Sequence, residues 1–444
     1  IIFFKNLNKK MNYSEFDRKY IWHPFTQEAT SPLNINIVKG KDTYLWDENG
    51  KKYIDLVSSW WTSCHGHCNE KIANAIYKQS LELEHLIFAN FTHKPAVNLV
   101  EKLQKFINPK LSKYFFSDNG STAIEIALKM TYQYWQNKGD DNRTLFITMD
   151  GNYHGDTVGT MSLGKSCGFY TPFERLMFKV ENIPFPETWI NDKNIEEKEE
   201  NSIKFAEKLL EEKHKNISAF FLESLVQGAS GMRIIRPEFV NKICKLFQNY
   251  NIPVIFDEVM TGFGRTGSMF SYEQTEIVPD IICLSKALTG GALPMALTIT
   301  TEDIYKEFLD SKNKKTFLHG HSYTANPLAC AAAIASLEIF EEIDVLEKIK
   351  RINKIHREEL FKLEKYDFLE KFRTIGLISA FEIKNNSGYG SNFSNDLKNK
   401  FFEAGLLLRP LGNVVYFLPP YCISEEDLRN SYKNVIDVIS TVVF

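Results

Sequence analysis

Residues 254–259 read Val-Ile-Phe-Asp-Glu-Val, and residues 284–291 read Leu-Ser-Lys-Ala-Leu-Thr-Gly-Gly. The first stretch is an apolar run that ends in Asp257. The second continues an apolar run from Ile281 and presents Lys286 before two glycines. Short apolar runs bounded by turn residues are typical of buried parallel strands. Because ligands of open α/β sheets lie outside the carboxyl ends of strands, Asp257 and Lys286 are predicted to face one ligand site.

Lys286 and Asp257 also have complementary chemistry. A lysine amine can form a Schiff base with an aldehyde, and a carboxylate can hold the proton of a pyridinium nitrogen. Those are the two protein groups that pyridoxal phosphate chemistry requires. The two stretches therefore predict a pyridoxal 5'-phosphate site at the carboxyl edge of a sheet.

The wider pattern predicts an α/β fold. From about residue 70 to 330, helical patterns alternate with short apolar runs, which indicates a large, mostly parallel sheet flanked by helices. An Asn-Gly turn at residues 49–50 between apolar runs predicts an N-terminal hairpin. A helical pattern over 326–363 is followed by strand-like runs and a final helix. We expect a large domain of residues 70–330 and a smaller α+β domain built from residues 11–69 and 331–444.

Composition narrows the class of protein. The chain has 444 residues, 43% of them apolar, and a net charge of −3, so neither nucleic acid nor an anionic membrane is predicted as a partner. Seven scattered cysteines favour free thiols in a reducing, cytoplasmic location. The apolar block at residues 1–4 is too short for the core of a signal peptide. Met11 is a candidate start, with the preceding residues as an upstream extension.

Two loops that follow apolar runs are candidates for cofactor contacts. Gly120 and Ser121 open a predicted helix, where free backbone N–H groups suit a phosphate; a plain helix cap is the alternative. Tyr153 lies in a glycine-rich loop with a histidine and a carboxylate, so its ring is a candidate to stack on a planar cofactor. A partly buried tyrosine in an ordinary loop is the alternative there.

Two further motifs are discounted. Residues 262–267 fit the dinucleotide pattern G-x-G-x-x-G, but no amphipathic helix opens at Gly267 and no acidic strand end follows about twenty residues later. Residues 64–68 read Cys-His-Gly-His-Cys, and five consecutive residues cannot all converge on one tetrahedral ion. No metal site is expected.

Taken together and in order, these motifs resemble those of the class III pyridoxal-phosphate-dependent aminotransferases of fold type I, over nearly the whole chain. The resemblance rests on residues 117–121, 153–156, 257–259 with 262–267, 285–286 and 322–327. Within this class the chain is most similar to the aminotransferases that convert 8-amino-7-oxononanoate to 7,8-diaminononanoate in biotin synthesis. The narrower similarity rests on residues 21–26, 58–61, 65–66, 226–229, 409–410 and 419–421.

The resemblance implies roles for individual residues in cofactor binding and catalysis. Lys286 would carry the cofactor and move a proton, Asp257 would pair with the pyridine nitrogen, and Tyr153 would stack on the ring. Gly120 and Ser121 would bind the phosphate, together with His321 and Ser322 from a partner subunit. A homodimer with shared active sites is therefore implied.

The resemblance also implies the substrate contacts. An arginine at the end of an apolar run is usually paired, and a carboxylate is its natural bidentate partner, so Arg409 is expected to hold the acceptor carboxylate. The other implied substrate contacts are Phe25 near the amino donor, Trp60 and Trp61 along the acceptor channel, Gly320 and Arg265.

The amino donor has two candidates. The pair Trp60-Trp61 favours S-adenosylmethionine, whereas Phe25, at a position that is commonly tyrosine in enzymes using that donor, favours lysine. Another class III ω-aminotransferase is a broader alternative. A nicotinamide-dependent oxidoreductase that uses residues 262–267 is an alternative from a different class.

Overall fold

A computed structural model describes residues 12–164, 169–385 and 387–443. The predictions about residues 1–4 and Met11 concern residues outside these ranges, and so does Cys167, one of the seven cysteines. The helices are α1 (Tyr13–Tyr20), α2 (Ser58–Trp61), α3 (Glu70–Glu82), α4 (Lys94–Leu103), α5 (Gly120–Asn137), α6 (Val158–Leu163), α7 (Ile195–Lys213), α8 (Pro237–Asn249), α9 (Glu302–Lys306), α10 (Pro327–Glu342), α11 (Val345–Leu363), α12 (Asn392–Glu403) and α13 (Glu425–Val443). None of the helices in the described ranges is long and apolar enough to cross a bilayer.

In the part of the chain that the structure describes, the strands form one large sheet and three smaller ones. They are β1 (Ile37–Lys41), β2 (Tyr44–Asp47), β3 (Lys52–Asp55), β4 (Leu111–Ser117), β5 (Leu145–Met149), β6 (Val180–Ile183), β7 (Ile217–Glu223), β8 (Val226–Gln227), β9 (Arg233–Ile234), β10 (Val254–Asp257), β11 (Ile281–Leu284), β12 (Ala296–Thr301), β13 (Leu369–Ile375), β14 (Ile378–Ile383), β15 (Leu406–Leu407) and β16 (Val414–Phe417).

The large sheet has seven strands in the order β4-β12-β11-β10-β7-β5-β6. Strand β12 is antiparallel to both of its neighbours, and the other adjacent pairs are parallel, which confirms the predicted mostly parallel sheet. Every residue of β7 and β10 is buried, because helices cover both faces of the sheet. Alternate side chains of the strands pack with α5 on one face, through Ile124 and Ala127, and with α8 on the other, through Phe239 and Phe247.

The carboxyl ends of the parallel strands meet at one edge of this sheet. Asp257 and Glu223, the last residues of β10 and β7, are register partners there. Lys286 follows β11 by two residues and begins a short 3-10 turn, Lys286–Thr289. Parallel pairing thus brings together residues that lie far apart in sequence, as predicted for Asp257 and Lys286.

Both ends of the chain contribute to one small sheet. Strands β1, β2 and β3 are antiparallel, with the predicted hairpin between β2 and β3, and the C-terminal strand β15 pairs with β3 in parallel. Strands β13, β14 and β16 form a separate antiparallel sheet. The domain boundaries near residues 70 and 330 stay a prediction. The helical pattern over 326–363 is divided between α10 and α11, because Asp344 caps the second helix by accepting from the Glu347 amide.

Candidate active site

Two connected cavities lie at the carboxyl edge of the large sheet. The inner cavity, of about 440 Å³, is lined by residues 118–121, 153–155, Glu223, Asp257 and Lys286, among others. The outer cavity, of about 270 Å³, shares Trp61, Tyr153 and Lys286 with the inner one and extends to Arg409. The outer cavity is called the channel below.

Lys286 lies where the two cavities meet. Its backbone has a positive φ of 48°, and its Nζ lies 4.6 Å from the centre of the Trp61 ring. Burial lowers the pKa of Lys286 to about 8, although Asp257 and Glu223 partly oppose that effect. A lysine with a lowered pKa has a larger share of neutral amine near neutral pH, which is the form that attacks a carbonyl.

Asp257 is buried and held by two hydrogen bonds. One oxygen accepts from the Val259 amide at 3.0 Å, and the other lies 2.7 Å from His154 Nδ1. The opposite ring nitrogen of His154 lies 3.1 Å from the amide nitrogen of Asn152, which can only donate. His154 therefore connects Asp257 to Asn152 and holds the carboxylate in a fixed orientation at the cavity.

The N-terminus of α5 faces the inner cavity. Asn119 caps the helix, and its side chain accepts from the Thr122 amide, while Gly120 and Ser121 line the cavity. A side chain at position 120 would place its Cβ 2.6 Å from Val259 Cγ1, so the close approach requires glycine. A helix cap and a phosphate site were the two interpretations of this segment, and they are compatible. Asn119 caps the helix, and Gly120 and Ser121 still face the cavity.

Tyr153 lies along both cavities. Its hydroxyl donates to Asp156 at 3.1 Å, and its ring is parallel to that of Tyr170. Burial raises the pKa of Tyr153, so the phenol stays protonated. The backbone amide of Tyr153 donates to Glu223 at 2.7 Å, and the other oxygen of Glu223 accepts from the Gly228 amide at 3.0 Å.

Glu223 and His154 were not among the predicted site residues. Burial raises the pKa of Glu223 to about 7, and the carboxyl group ties two loops together at the edge of the cavity. The signal that could have identified Glu223 is the one that identified Asp257, an acidic residue at the end of an apolar run. His154 was noted only as part of the Tyr153 loop, since its contact with Asp257 joins residues 103 positions apart.

Aromatic side chains form the walls of the channel. Trp60 lies edge-on to Phe25 at 5.5 Å and faces the Arg409 guanidinium at 4.8 Å, while Trp61 Nε1 donates to the Tyr416 hydroxyl at 3.0 Å. The structure thus brings Phe25, Trp60, Trp61 and Arg409 together along one cavity, and their contacts with substrate stay a prediction. Its further lining residues, which sequence reasoning missed, are Phe169, Ala229, Tyr389, Leu411 and Tyr416.

Arg265 does not line either cavity, and its predicted contact with substrate stays a prediction. The side chain is fully buried, and its guanidinium donates to Ser58 Oγ and to the carbonyls of Trp61 and Pro419. Ser58, Ser59 and Trp61 all have positive φ values, between 49° and 65°. Arg265 therefore stabilises the short α2, whose backbone departs from regular helix geometry and which presents the two tryptophans to the channel.

The discounted motifs have local structural explanations. Residues 259–270 form turns and bends, and no helix opens at Gly267, where a dinucleotide site would require one. His65 lies 3.0 Å from Ser336 Oγ, and His67 lies 2.8 Å from the Asp55 carboxylate, so the two histidines serve different partners.

Gly320, His321 and Ser322 do not line the cavities of their own chain. Nδ1 of His321 accepts from the Tyr323 amide at 3.1 Å, and Gly320 and Ser322 are exposed. The neighbouring Leu318 and Tyr323 are exposed as well, by 85% and 65%. A contribution of this segment to another subunit's site stays a prediction.

Comparisons with known proteins match nearly the whole chain. Residues 25–439 match the model of the family Aminotransferase class-III. A protein of Synechococcus elongatus named adenosylmethionine-8-amino-7-oxononanoate aminotransferase is 44% identical over 95% of this chain and 99% of its own length. A Helicobacter pylori protein with the same name is 37% identical over 98% of this chain and 99% of its own length.

Solved structures of transaminases have the same fold. The crystal structure of adenosylmethionine-8-amino-7-oxononanoate aminotransferase from Methanocaldococcus jannaschii aligns with a TM-score of 0.90 at 35% identity, over 96% of this chain and 98% of the other. An omega transaminase from Pseudomonas jessenii, in complex with PMP, aligns with a TM-score of 0.88 at 26% identity, over 97% and 98%.

Proposed function

Because this chain belongs to the class III aminotransferases, which use pyridoxal phosphate, we propose that it transfers an amino group to 8-amino-7-oxononanoate to give 7,8-diaminononanoate in biotin synthesis. The proposed amino donor is S-adenosylmethionine. Relatives and a structural neighbour that bear the corresponding name support both substrates.

The observation that carries the proposed acceptor is the channel between Lys286 and Arg409. Its aromatic and aliphatic walls suit a methylene chain, whose transfer from water is favourable. The Arg409 guanidinium can bind a carboxylate through two parallel hydrogen bonds, and Lys286 lies along the same cavity. An acceptor with a keto group near one end and a carboxylate at the other matches this order of groups.

The residues of the inner cavity fit pyridoxal phosphate, with Lys286 as the amine, Asp257 as the partner of a ring nitrogen and the open N-terminus of α5 for the phosphate. When bound, this cofactor supplies an electron-withdrawing ring that acidifies the proton on the carbon bearing the substrate amine. Lys286 Nζ, once released by the donor, would take that proton from the donor carbon. His154 would orient the Asp257 carboxylate through their hydrogen bond, and Tyr153 would pack on the ring.

The proposal includes a homodimer in the cytoplasm, in which residues 320–322 of one subunit complete the cavity of the other. The exposed apolar side chains of Leu318 and Tyr323 beside this segment support it. Mixing inactive Lys286→Ala subunits with Ser322→Ala subunits under exchange conditions tests the arrangement. Turnover restored in mixed dimers would mean that each active site takes residues from both subunits. Activity equal to the sum of the two variants' residual activities would contradict shared sites.

Lysine is the second candidate donor, since Phe25 lies beside Trp60 in the channel and offers no hydroxyl to a polar donor. A nicotinamide-dependent oxidoreductase has no such support, because the loop at residues 262–267 opens no helix. The test supplies the purified holoenzyme with 8-amino-7-oxononanoate and either S-adenosylmethionine, lysine or other amines. Product formed with lysine but not with S-adenosylmethionine would identify lysine as the donor. Absence of product with every donor would overturn the proposed acceptor.

A further inference from the structure

A third cavity, of about 130 Å³, adjoins the channel at Arg409. It shares Phe25, Tyr389 and Arg409 with the channel, so it continues the channel away from Lys286. This cavity is called the end pocket below. Its other lining residues are Gln27, Ser31, Gly390, Ser394, Asn395, Lys398 and Pro410.

Among the described residues that line it, the end pocket has two cationic side chains and no acidic one. Its cations are Lys398 and Arg409, and neither forms an ion pair with a carboxylate anywhere in residues 12–164, 169–385 and 387–443. The remaining polar groups are hydroxyls, side-chain amides and backbone. Two cations that share a cavity repel each other, and this repulsion is relieved when an anion lies between them.

Helix α12 places Lys398 in the end pocket. Ser394, Asn395 and Lys398 lie on the face of the helix that lines the end pocket. Ser394 Oγ donates to the Pro410 carbonyl at 3.5 Å, which ties α12 to the segment that carries Arg409. Lys398 Nζ lies 3.5 Å from Asn395 Oδ1, and its pKa is lowered by burial and by Arg409.

Two neighbouring aromatic side chains orient Arg409. Its guanidinium lies 4.8 Å from the Trp60 ring, and its Nη2 donates to the Tyr389 hydroxyl at 3.3 Å. Gly390, with a positive φ of 73°, turns the chain after Tyr389 so that the tyrosine lies between the channel and the end pocket. Aromatic and hydroxyl contacts orient the guanidinium but leave its charge without a carboxylate partner.

We propose that Lys398 and Arg409 hold the acceptor's terminal carboxylate between them, so that Lys398 is a second specificity determinant for the amino acceptor. The proposal rests on the function proposed above, and it adds a residue that the sequence motifs did not indicate. A carboxylate is the chemistry that fits, because the pocket that binds the anion continues a cavity with mainly apolar walls. The ligand must therefore join an apolar chain to a terminal anion.

Binding of octanoate to the holoenzyme, measured by titration calorimetry, tests the site without turnover, because octanoate has no keto group. 1-Octanol, which has the same chain without the charge, is the control ligand. We expect Lys398→Met to weaken octanoate binding roughly tenfold and to leave 1-octanol binding unchanged. Lys398→Arg should restore most of the affinity, and Lys400→Met, on the same helix but outside the end pocket, should have no effect.

Unchanged octanoate affinity in Lys398→Met, with affinity lost in Arg409→Ala, would overturn the two-cation site. Equal binding of octanoate and 1-octanol by the unmodified enzyme would overturn it as well. A different result would contradict the proposed function and leave the two-cation site intact. In that case octanoate binding depends on Lys398, but the enzyme does not aminate 8-amino-7-oxononanoate with any donor. In the acceptor half-reaction, Lys398→Met should raise the acceptor KM with little change in kcat.

Discussion

Replacing Arg409 by alanine should impair the amino acceptor far more than the amino donor. The substitution removes the guanidinium from the end of the channel, where it faces Trp60 and Tyr389. A hydrogen bond to a charged group contributes about 1.5–3 kcal/mol when it is shielded from water. Arg409 is partly exposed, so we take the middle of this range, about 2 kcal/mol, which corresponds to roughly a 30-fold loss in kcat/KM for the acceptor.

Separate half-reactions measure this effect. In the first, the yellow cofactor form is mixed with donor alone, and loss of its absorbance gives the donor rate. In the second, the aminated enzyme is mixed with 8-amino-7-oxononanoate, and return of the absorbance gives the acceptor rate. We expect the roughly 30-fold loss in the second reaction and a change of less than about threefold in the first.

Arg409→Lys is the matched variant, because it keeps a positive charge and loses the planar fork. Its acceptor kcat/KM should fall between those of the unmodified enzyme and Arg409→Ala. Equal losses in both half-reactions would refute the reasoning, since they would mean that Arg409 serves both substrates or supports the channel wall. The melting temperature of each variant separates these two outcomes.

Further substitutions test the inner cavity and the donor. Lys286→Ala should fold and lose the covalent cofactor; borohydride reduction of the unmodified enzyme should label Lys286, and a label on any other lysine would contradict the assignment. Asp257→Asn should keep weak cofactor binding and lose most activity, because a neutral amide cannot stabilise a protonated pyridine; a normal single-turnover rate would exclude this role. Below pH 8 the folded, cofactor-free enzyme buries a charged Lys286, whose folded pKa of about 8 is below its usual 10.5. The unfolded chain binds more protons between these values, so stability rises with pH there, and Lys286→Met should raise the free energy of unfolding most at pH 7 and least above pH 10.5. Phe25→Tyr should improve the S-adenosylmethionine rate by up to about tenfold if that donor contacts the new hydroxyl, and fast conversion by lysine alone would favour the other donor.

Much of the inner cavity could be predicted because its determinants are local. Asp257 and Lys286 each end a run of apolar residues, and the strand type and its end are both visible in a few consecutive residues. Once the strands are parallel, their carboxyl ends must share one edge, so the meeting of these residues follows from the fold class alone. The helix that opens at Gly120 was visible for the same reason, as periodicity after a strand.

Local sequence patterns show less about features that depend on burial or on a partner subunit. Arg265 was expected to contact substrate, and that contact stays a prediction. Its guanidinium donates to Ser58 Oγ and to the Trp61 carbonyl, in a segment with three positive φ values, and no local pattern shows that this segment folds over it. The helical pattern over 326–363 concealed a break at Asp344, because apolar periodicity continues across the cap. The roles of His321 and Ser322 depend on a second subunit and stay a prediction.

The sequence by itself determined the strands, their ends and the chemistry presented there, because hydrophobic periodicity and turn residues act over a few positions. The tertiary structure alone decided which distant side chains complete the site. His154 reaches Asp257, Glu223 ties the Tyr153 loop to Gly228, and Lys398 joins Arg409 in the end pocket. Such contacts depend on the packing of whole elements against one another, and the free energy of that packing is spread over side chains from every part of the chain.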